Sequence, residues 1–225
     1  MSLRKELPKF DTPDLVAQWK HALAILTRVG ELDIPCTMRL GERQLLFQVL
    51  RAMGAREVLD IGTYCGTSAL AFALAVGEGG HVVSVDIQDA NAADGHWVEA
   101  MRRKPRDLME AAGVSERVEF VTMDAREYMV DTRRSFDLIS IDGHHELESV
   151  GSEVRLALML LRPNGLVFLH DVQDEDEILP PGFDKIDGPR LALKELIEER
   201  APVRAVRFTT TADGEWATAT FLVRE

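Results

Sequence analysis

The stretch VLDIGTYCGTS, residues 58–68, decides the fold of this chain. Its first four residues are apolar apart from Asp60 and predict a buried strand, and a helical pattern begins directly after Gly66. Gly62 and Gly66 stand where the backbone must turn sharply, and a glycine there also lets the backbone approach a ligand closely. A helix that begins at such a turn directs free N–H groups and its positive dipole end at a bound anion. The stretch therefore predicts a strand–turn–helix unit that binds the anionic group of a ligand.

Beyond residue 57 the chain alternates short β-branched apolar runs with helical stretches. The runs that predict strands are Val58–Ile61, Val82–Val85, Val118–Val121, Leu138–Ile141 and Leu166–Leu169. The stretches that predict helices between them are Thr67–Val76, His96–Ala112, Ala125–Val130 and Leu147–Leu161. Pro105 is expected to divide the second of these helices. Because the strand runs are apolar on both faces, they indicate a buried parallel sheet, and the alternation predicts a doubly wound α/β fold with right-handed crossovers.

The two ends of the chain depart from this alternation. Thr12-Pro13-Asp14 is typical of a helix start, and a second amphipathic helix is expected from about Glu42 to Met53. Near the other end, the runs Val203–Thr209 and Trp216–Val223 flank the turn signal Ala212-Asp213-Gly214. Two strands joined by a short loop with glycine predict an antiparallel hairpin at the edge of the sheet.

No composition shift or internal repeat marks a domain boundary. We therefore expect one domain over residues 1–225, with residues 1–40 as an N-terminal helical extension. Residues 171–188 form a long acidic loop, and loops of that length in a compact domain are often lids or binding loops. The N-terminal helix that carries Trp19 is a candidate surface for a homodimer.

Composition and charge narrow the classes of partner. The net charge is −12, whereas nucleic-acid binders need clustered Lys and Arg to neutralise phosphates, so we expect no nucleic-acid partner. The apolar stretches are too short to span a bilayer and the amino terminus lacks a secretory pattern, so we expect no membrane partner. The two cysteines, Cys36 and Cys65, form no CxxC pair and indicate reduced thiols and a cytoplasmic protein.

Acidic residues end the next two predicted strands. Asp86 ends the second strand, where a carboxylate can accept hydrogen bonds from both hydroxyls of a ribose. Asp124 and Ala125 follow the third strand, where the base of such a nucleoside would lie. A dinucleotide site uses the same half-sheet, but Gly62-Thr63-Tyr64 lacks the second close glycine of the GxGxxG fingerprint. The order of these features on three successive strand ends predicts a nucleoside site of another kind.

The span from about Leu40 to the end resembles the class I S-adenosylmethionine (SAM)-dependent methyltransferases. More narrowly, the Tyr-Cys-Gly of residues 64–66 resembles the glycine motif of catechol and caffeoyl-CoA type O-methyltransferases. Residues 141–145, 161–165 and 170–171 look like the bacterial macrocin-type sugar O-methyltransferases. The resemblance implies a Rossmann-like seven-stranded sheet in the order 3-2-1-4-5-7-6, with SAM over the carboxyl ends of the first three strands. The cofactor-binding residues would then be Gly62, Tyr64, Gly66, Ser68, Asp86, Asp124, Ala125 and Asp142.

Two further aspartates carry the expected chemistry. Asp142 ends the fourth predicted strand and Asp171 the fifth, so both side chains are expected on one rim of the sheet. The resemblance implies that they hold a divalent cation, Mg²⁺ or else Mn²⁺ or Ca²⁺, which would stabilise a deprotonated hydroxyl group. Val172 departs from the catechol type, which has Asn or Asp there. Asp174, His170 or water would complete the shell, or no metal is bound.

His145 stands three residues after Asp142, where the macrocin-type enzymes place a catalytic histidine. A histidine there can take the proton of a hydroxyl group, because its pKa lies near neutral pH. The adjacent His144 is an alternative, and one of the two is a candidate cap of the next helix. The sequence thus predicts a SAM-dependent O-methyltransferase with Asp142 and His145 as catalytic residues and a phenolic, sugar or natural-product acceptor. A NAD- or NADP-dependent oxidoreductase and a SAM-binding protein without turnover remain alternatives.

Overall fold

The computed structural model describes residues 12–30, 38–92, 103–173, 175, 185–212 and 215–224. The helices are α1 Thr12–Val29, α2 Leu40–Met53, α3 Thr67–Val76, α4 Pro105–Ala112, α5 Ala125–Asp131, α6 Leu147–Leu160 and α7 Gly188–Glu198. The strands are β1 Glu57–Ile61, β2 His81–Asp86, β3 Val118–Thr122, β4 Phe136–Ile141, β5 Leu161–His170, β6 Val203–Ala212 and β7 Glu215–Arg224. Of the expected acidic loop, residues 174 and 176–184 lie outside the described residues.

The strands form one seven-stranded sheet in the order β3-β2-β1-β4-β5-β7-β6. The pairs among β1 to β5 are parallel, and β7 pairs antiparallel with both β5 and β6. This confirms the expected order and the C-terminal hairpin. Because the order reverses between β1 and β4, the crossover helices diverge there, and a crevice opens at the carboxyl ends of these strands.

Alternate residues of the inner strands supply two hydrophobic cores, one on each face of the sheet. In β1, Val58 packs with side chains of helices α1 to α4, whereas Leu59 and Ile61 pack with side chains of α5 to α7. All three are almost fully buried, as the apolar run predicted. Burial of one such side chain stabilises the fold by about 1.5–3 kcal/mol. The sheet is therefore rigid where its strand ends carry the site.

Helices α1 and α2 pack onto the same core as α3, rather than standing apart from it. Trp19 is only 6% exposed, and its ring centroid lies 5.4 Å from that of Phe47. The Trp19 side chain therefore belongs to the core, and the homodimer expected through the N-terminal helix stays a prediction. Among the described residues, no helix is both long and apolar enough to cross a bilayer.

Several element boundaries differ from the expected ones. Helix α2 begins at Leu40 rather than near Glu42, because the Glu42 carboxylate accepts the backbone N–H of Arg39 at 3.0 Å and extends the first turn. Strand β5 begins at Leu161 rather than Leu166, since it already pairs with β4 at that residue before a register shift. Helix α4 begins at Pro105, which confirms a break there. Residues 96–102 of the expected helix lie outside the described residues, and residues 103 and 104 are not helical.

Candidate active site

The glycine turn, residues 62–66, connects β1 to α3 and lies at the crevice. Gly62, Tyr64 and Gly66 all have positive φ values, of 97°, 46° and 82°. A Cβ on Gly62 would collide with the backbone carbonyl of Asp142, and one on Gly66 would lie 2.8 Å from Cβ of Pro105. The glycines are thus required by the packing of the turn against β4 and α4, a reason that the sequence pattern did not reveal. Tyr64, a non-glycine residue with positive φ, marks local strain of the kind found at functional sites.

Asp86, at the end of β2, holds the glycine turn in place. Its Oδ2 accepts the backbone N–H groups of Thr63 at 3.0 Å and Tyr64 at 3.1 Å, and its Oδ1 accepts that of Gln88 at 3.0 Å. A cavity of about 150 Å³ opens beside this carboxylate, over the carboxyl ends of β2 and β3. Its lining residues are Thr63, Asp86, Gln88, Asp89, Ala90, Asn91, Arg106, Phe120, Val121 and Thr122. The cavity lies where the ribose and base of a nucleoside are expected.

Asp124 immediately precedes α5, and Ala125 is the first residue of this helix. Neither residue lines the cavity. The Asp124 carboxylate caps the helix by accepting the N–H of Arg126 at 2.8 Å, and it pairs with the Arg126 guanidinium at 2.7 Å. These bonds lower the pKa of Asp124 to about 2. Asp124 therefore has a structural partner, and its contact with a cofactor stays a prediction.

Ser68 faces the interior beneath the glycine turn. Its hydroxyl donates to Oδ2 of Asp60 at 2.9 Å, and the Ser84 hydroxyl donates to the same oxygen at 3.0 Å. Burial raises the pKa of the fully enclosed Asp60 to about 7. Asp60 was not among the predicted site residues, although a single acid inside an apolar strand was the available signal. This polar cluster fixes β1, β2 and the first turn of α3 to one another.

The carboxyl ends of β4 and β5 bring together Asp142, His145, His170 and Asp171, which we call the rim cluster. Nε2 of His145 lies 3.1 Å from Oδ2 of Asp171 and 3.8 Å from Oδ1 of Asp142. Nδ1 of His170 lies 3.1 Å from Oδ1 of Asp142 and 3.3 Å from Oδ1 of Asp171. Two carboxylates and two imidazoles thus face one point, next to the glycine turn.

Charge pairing dominates the electrostatics of the rim cluster. Burial alone would raise the pKa values of Asp142 and Asp171, but the neighbouring His170 and His145 hold both well below their usual range. Contacts with Asp142 and Asp171 raise the pKa of His145 to about 9. Burial would lower the pKa of His170, yet Asp142, Glu42 and Asp171 raise it well above its usual value. Both carboxylates are therefore ionised at neutral pH and offer negative charge to a bound cation.

The structure separates the two adjacent histidines. His144 is exposed, and its Nδ1 accepts the backbone N–H of Glu146 at 3.4 Å, just before α6. His145 faces the rim cluster, and its backbone carbonyl packs so closely on Gly188, the first residue of α7, that a Cβ there would collide with it. Of the two, only His145 is placed to act on a ligand between β4 and β5.

The rim cluster also fits a divalent cation. One donor atom each of Asp142, His170 and Asp171 lie within 4.8 Å of one another. Nδ1 of His170 is buried and faces Asp142 and Asp171, so a cation bound between the two carboxylates would displace its proton and bind this nitrogen. Val172 is 3% exposed and packs in the core, which confirms that it offers no ligand. Asp174, the other candidate ligand, lies outside the described residues.

Known proteins are similar to this chain in both sequence and fold. Residues 59–172 match the family described as a methyltransferase domain. Catechol O-methyltransferase domain-containing protein 1 of Mus musculus is 30% identical over 64% of this chain and 52% of its own length. Probable caffeoyl-CoA O-methyltransferase 3 of Dictyostelium discoideum is 26% identical over 59% of this chain and 50% of its own length. The chain thus matches about half the length of these curated relatives.

Solved structures agree over almost the whole chain. A cofactor-bound protein from MTB superposes with a TM-score of 0.68 at 26% identity, over 93% of this chain and 90% of that one. The O-methyltransferase from Bacillus cereus in complex with SAH has a TM-score of 0.65 at 21% identity, over 95% and 91% of the two chains. The match to the methyltransferase family and to the curated relatives favours a SAM-dependent enzyme over the NAD- or NADP-dependent oxidoreductase. With its glycine turn, sheet order and matched domain together, the chain belongs to the methyltransferase domain family, within the class I SAM-dependent methyltransferases.

Proposed function

We propose that this protein transfers the methyl group of SAM to a hydroxyl group of a small molecule. The observation that carries the proposal is the contact between the glycine turn and the rim cluster. The backbone N–H of Asp142 donates to the carbonyl of Ile61 at 3.0 Å, and Gly62 packs directly on the Asp142 carbonyl. A cofactor bound over the turn therefore has its reactive end beside the carboxylates and His145.

In this proposal, the cofactor lies across the ends of β1 to β3. The N–H groups at the start of α3 bind the methionine carboxylate, because the first N–H groups of a helix have no partner within the helix and lie at the positive end of its dipole. Asp86 binds the ribose hydroxyls at the mouth of the 150 Å³ cavity, and the base occupies the cavity itself. Residues 1–225 act as one domain, and its helices α1 and α2 share the core that supports the turn.

The methyl transfer needs a nucleophilic oxygen. A neutral hydroxyl is a poor nucleophile, so Nε2 of His145 takes its proton while the oxygen attacks the SAM methyl carbon and the sulfur–carbon bond breaks. The products are a methyl ether and neutral S-adenosylhomocysteine (SAH). A divalent cation held by Asp142 and Asp171 would stabilise the deprotonated hydroxyl. Its charge would also offset the carboxylates that raise the pKa of His145 and so favour the neutral imidazole that a base requires.

The acceptor class follows from similarity and charge. The curated relatives include several caffeoyl-CoA O-methyltransferases, which supports a phenolic acceptor, and the macrocin-type resemblance supports a sugar. The net charge of −12 disfavours nucleic acid as the acceptor. A phenolic, sugar or natural-product hydroxyl thus remains the proposed substrate. The homodimer and the cytoplasmic location stay predictions.

Product analysis tests the proposal. The purified protein is incubated with SAM labelled with ¹³C in the methyl group and with a panel of phenols, catechols and glycosides. We expect SAH to form together with an O-methyl product, identified by mass spectrometry and by the ¹³C chemical shift. A label found on nitrogen or carbon would contradict O-methylation. SAM binding by calorimetry without turnover of any acceptor would instead favour the SAM-binding protein that does not catalyse.

A further inference from the structure

We infer that His170 is a third protein ligand of the cation site, that Glu42 on α2 fixes its orientation, and that the site therefore prefers a divalent transition metal such as Mn²⁺ or Co²⁺ over Mg²⁺ or Ca²⁺. The inference rests on the proposed function, since it uses the same two carboxylates, Asp142 and Asp171. It concerns the metal itself, so metal binding tests it apart from methyl transfer.

The two ring nitrogens of His170 face different partners. Nε2 lies 3.0 Å from Oε1 and 3.2 Å from Oε2 of Glu42. Nδ1 lies 3.1 Å from Asp142 and 3.3 Å from Asp171, buried and without an aligned hydrogen-bond partner among the described residues. Nε2 donates to Glu42, so Nδ1 is the nitrogen that faces the two carboxylates, and a cation bound there would displace its proton. Metal-ligating histidines commonly have this arrangement, with one nitrogen on the ion and the other donating to a carboxylate.

Glu42 is held as an orienting group rather than as a surface charge. Its side chain is fully buried, and its Oε2 also accepts the N–H of Arg39, the residue before α2. The carboxylate therefore has one partner at the N-cap of its own helix and one in the rim cluster. On the other side, the ring of Phe168 packs against the imidazole, with centroids 5.9 Å apart. His170 is thus held by a residue of α2, a helix outside the strand-end residues from which the site was predicted.

The backbone explains how two consecutive residues reach one ion. In a strand, neighbouring side chains point to opposite faces, so His170 and Asp171 would normally diverge. His170 is the last residue of β5 and pairs with Ala219 of β7, whereas Asp171 has a φ of 54°. This left-handed residue ends the alternation, and both side chains meet Asp142. A non-glycine residue seldom adopts this conformation unless the surrounding structure imposes it.

The donor set determines the metal. Val172 is buried where the catechol type has an oxygen ligand, so two carboxylates and one imidazole are the protein donors that the described residues offer. Mg²⁺ and Ca²⁺ bind oxygen ligands, whereas imidazole suits transition metals. Replacement of an amide oxygen by Nδ1 of His170 therefore shifts the preference from Mg²⁺ towards Mn²⁺, Co²⁺ or Zn²⁺.

Metal titration and pulsed EPR of the full chain test the inference. After chelation and desalting, the wild type should bind Mn²⁺ at least about tenfold more tightly than Mg²⁺, and the Mn²⁺ spectrum should show coupling to a ¹⁴N nucleus. His170→Asn keeps an oxygen donor, so it should still bind Mn²⁺ but lose the ¹⁴N coupling and most of the preference over Mg²⁺. His81→Asn, at the amino end of β2 and so away from the rim cluster, is the matched control and should retain both.

Glu42→Gln tests the orienting role. We expect Mn²⁺ affinity to fall about 10–100-fold, the usual effect of losing a partner that orients a metal ligand. Glu153→Gln removes another buried glutamate, which has no contact of its own with His170 among the described residues, and should bind Mn²⁺ as the wild type does. Circular dichroism and SAM affinity establish that each variant is folded. A folded Glu42→Gln variant with unchanged Mn²⁺ affinity would overturn the role of Glu42.

The outcomes separate this inference from the proposed function. A ¹⁴N coupling that persists in His170→Asn and disappears in His145→Gln would make His145 the ligand and refute His170. A wild type that does not bind Mn²⁺ would refute the inference altogether. If that protein still produced an O-methyl product in EDTA, the proposed methyl transfer would stand without a metal.

Discussion

The glycine turn and the rim cluster lie side by side but are held in different ways. The turn is fixed through backbone groups: Asp86 accepts two of its N–H groups, and the N–H of Gly62 donates to the carbonyl of Val85 at 2.9 Å. The rim cluster is fixed through charged side chains, one of which is oriented by Glu42 from a distant helix. The cofactor half of the site therefore depends on local sequence, and the chemical half depends on tertiary contacts.

This difference makes the two halves separable by mutation. A change in the rim cluster should reduce the rate of methyl transfer and leave SAM affinity almost unchanged, because the turn does not depend on those side chains. A change at the turn should do the reverse and weaken SAM binding with little effect on the rate at saturating SAM. Variants of both kinds, compared by kcat and by SAM affinity, test whether the separation holds.

The largest effect is expected at His145. His145→Ala should reduce kcat by about 10²–10⁴-fold, the usual contribution of a general base. SAM affinity should remain near the wild-type value, since His145 contacts carboxylates of the rim and not the turn. His144→Ala is the matched control and should retain activity, because His144 is exposed. Equal losses in both variants, measured by SAH release, would contradict the assignment of the base.

The contrast between local contacts at the glycine turn and tertiary contacts in the rim cluster also explains which features the sequence could predict. The sheet order, the hairpin, the glycine turn and the aspartates at the strand ends follow from local patterns and a family resemblance. Glu42 could not be predicted, because its contact with His170 joins residues 128 positions apart. The packing of Gly62 on Asp142 was missed for the same reason, since a glycine pattern does not reveal which backbone it contacts.

Asp60 is an exception to the comparison, because it is a buried acid beneath the backbone-held turn. Burial raises its pKa to about 7, so between about pH 4 and 7 the folded state binds a proton that the unfolded state releases. Stability should therefore fall as the pH rises through this range. Asp60→Asn keeps an oxygen that accepts from Ser68 and Ser84, so it should stabilise the fold by on the order of 4 kcal/mol at pH 8 and hardly at all at pH 4.

Urea unfolding at pH 4, 6 and 8 measures the free energy of unfolding of the wild type and of Asp60→Asn, and so the gain at each pH. Asp131→Asn, at an exposed aspartate, is the control for the substitution itself. A gain of equal size at all three pH values would mean that Asp60 is not protonated on folding.

A smaller effect is expected at Asp86. Asp86→Asn should weaken SAM binding by about 1–3 kcal/mol, because the ribose loses a charged acceptor. The amide oxygen can still accept the N–H groups of Thr63 and Tyr64, so the turn should stay folded and kcat at saturating SAM should change little. Asp89→Asn, which alters another carboxylate of the same cavity, is the control. Calorimetry that gives wild-type affinity for Asp86→Asn would place the ribose elsewhere.

The smallest effect is expected at Asp124, the N-cap of α5. Its substitution tests whether this carboxylate binds the cofactor or only caps the helix. Asp124→Ala removes the acceptor for the N–H of Arg126 and should cost about 1 kcal/mol of stability, as for other N-caps. The pKa of Asp124 is lowered to about 2, so its charged form stabilises the fold above pH 4, and this contribution is lost as the pH falls towards 2. Asp124→Ser can still cap α5, so it should restore most of the stability.

If Asp124 also binds the cofactor, both variants should weaken SAM binding, by less than Asp86→Asn because Asp124 does not line the cavity. Unchanged SAM affinity in Asp124→Ser, with normal unfolding, would leave the carboxylate as a cap alone.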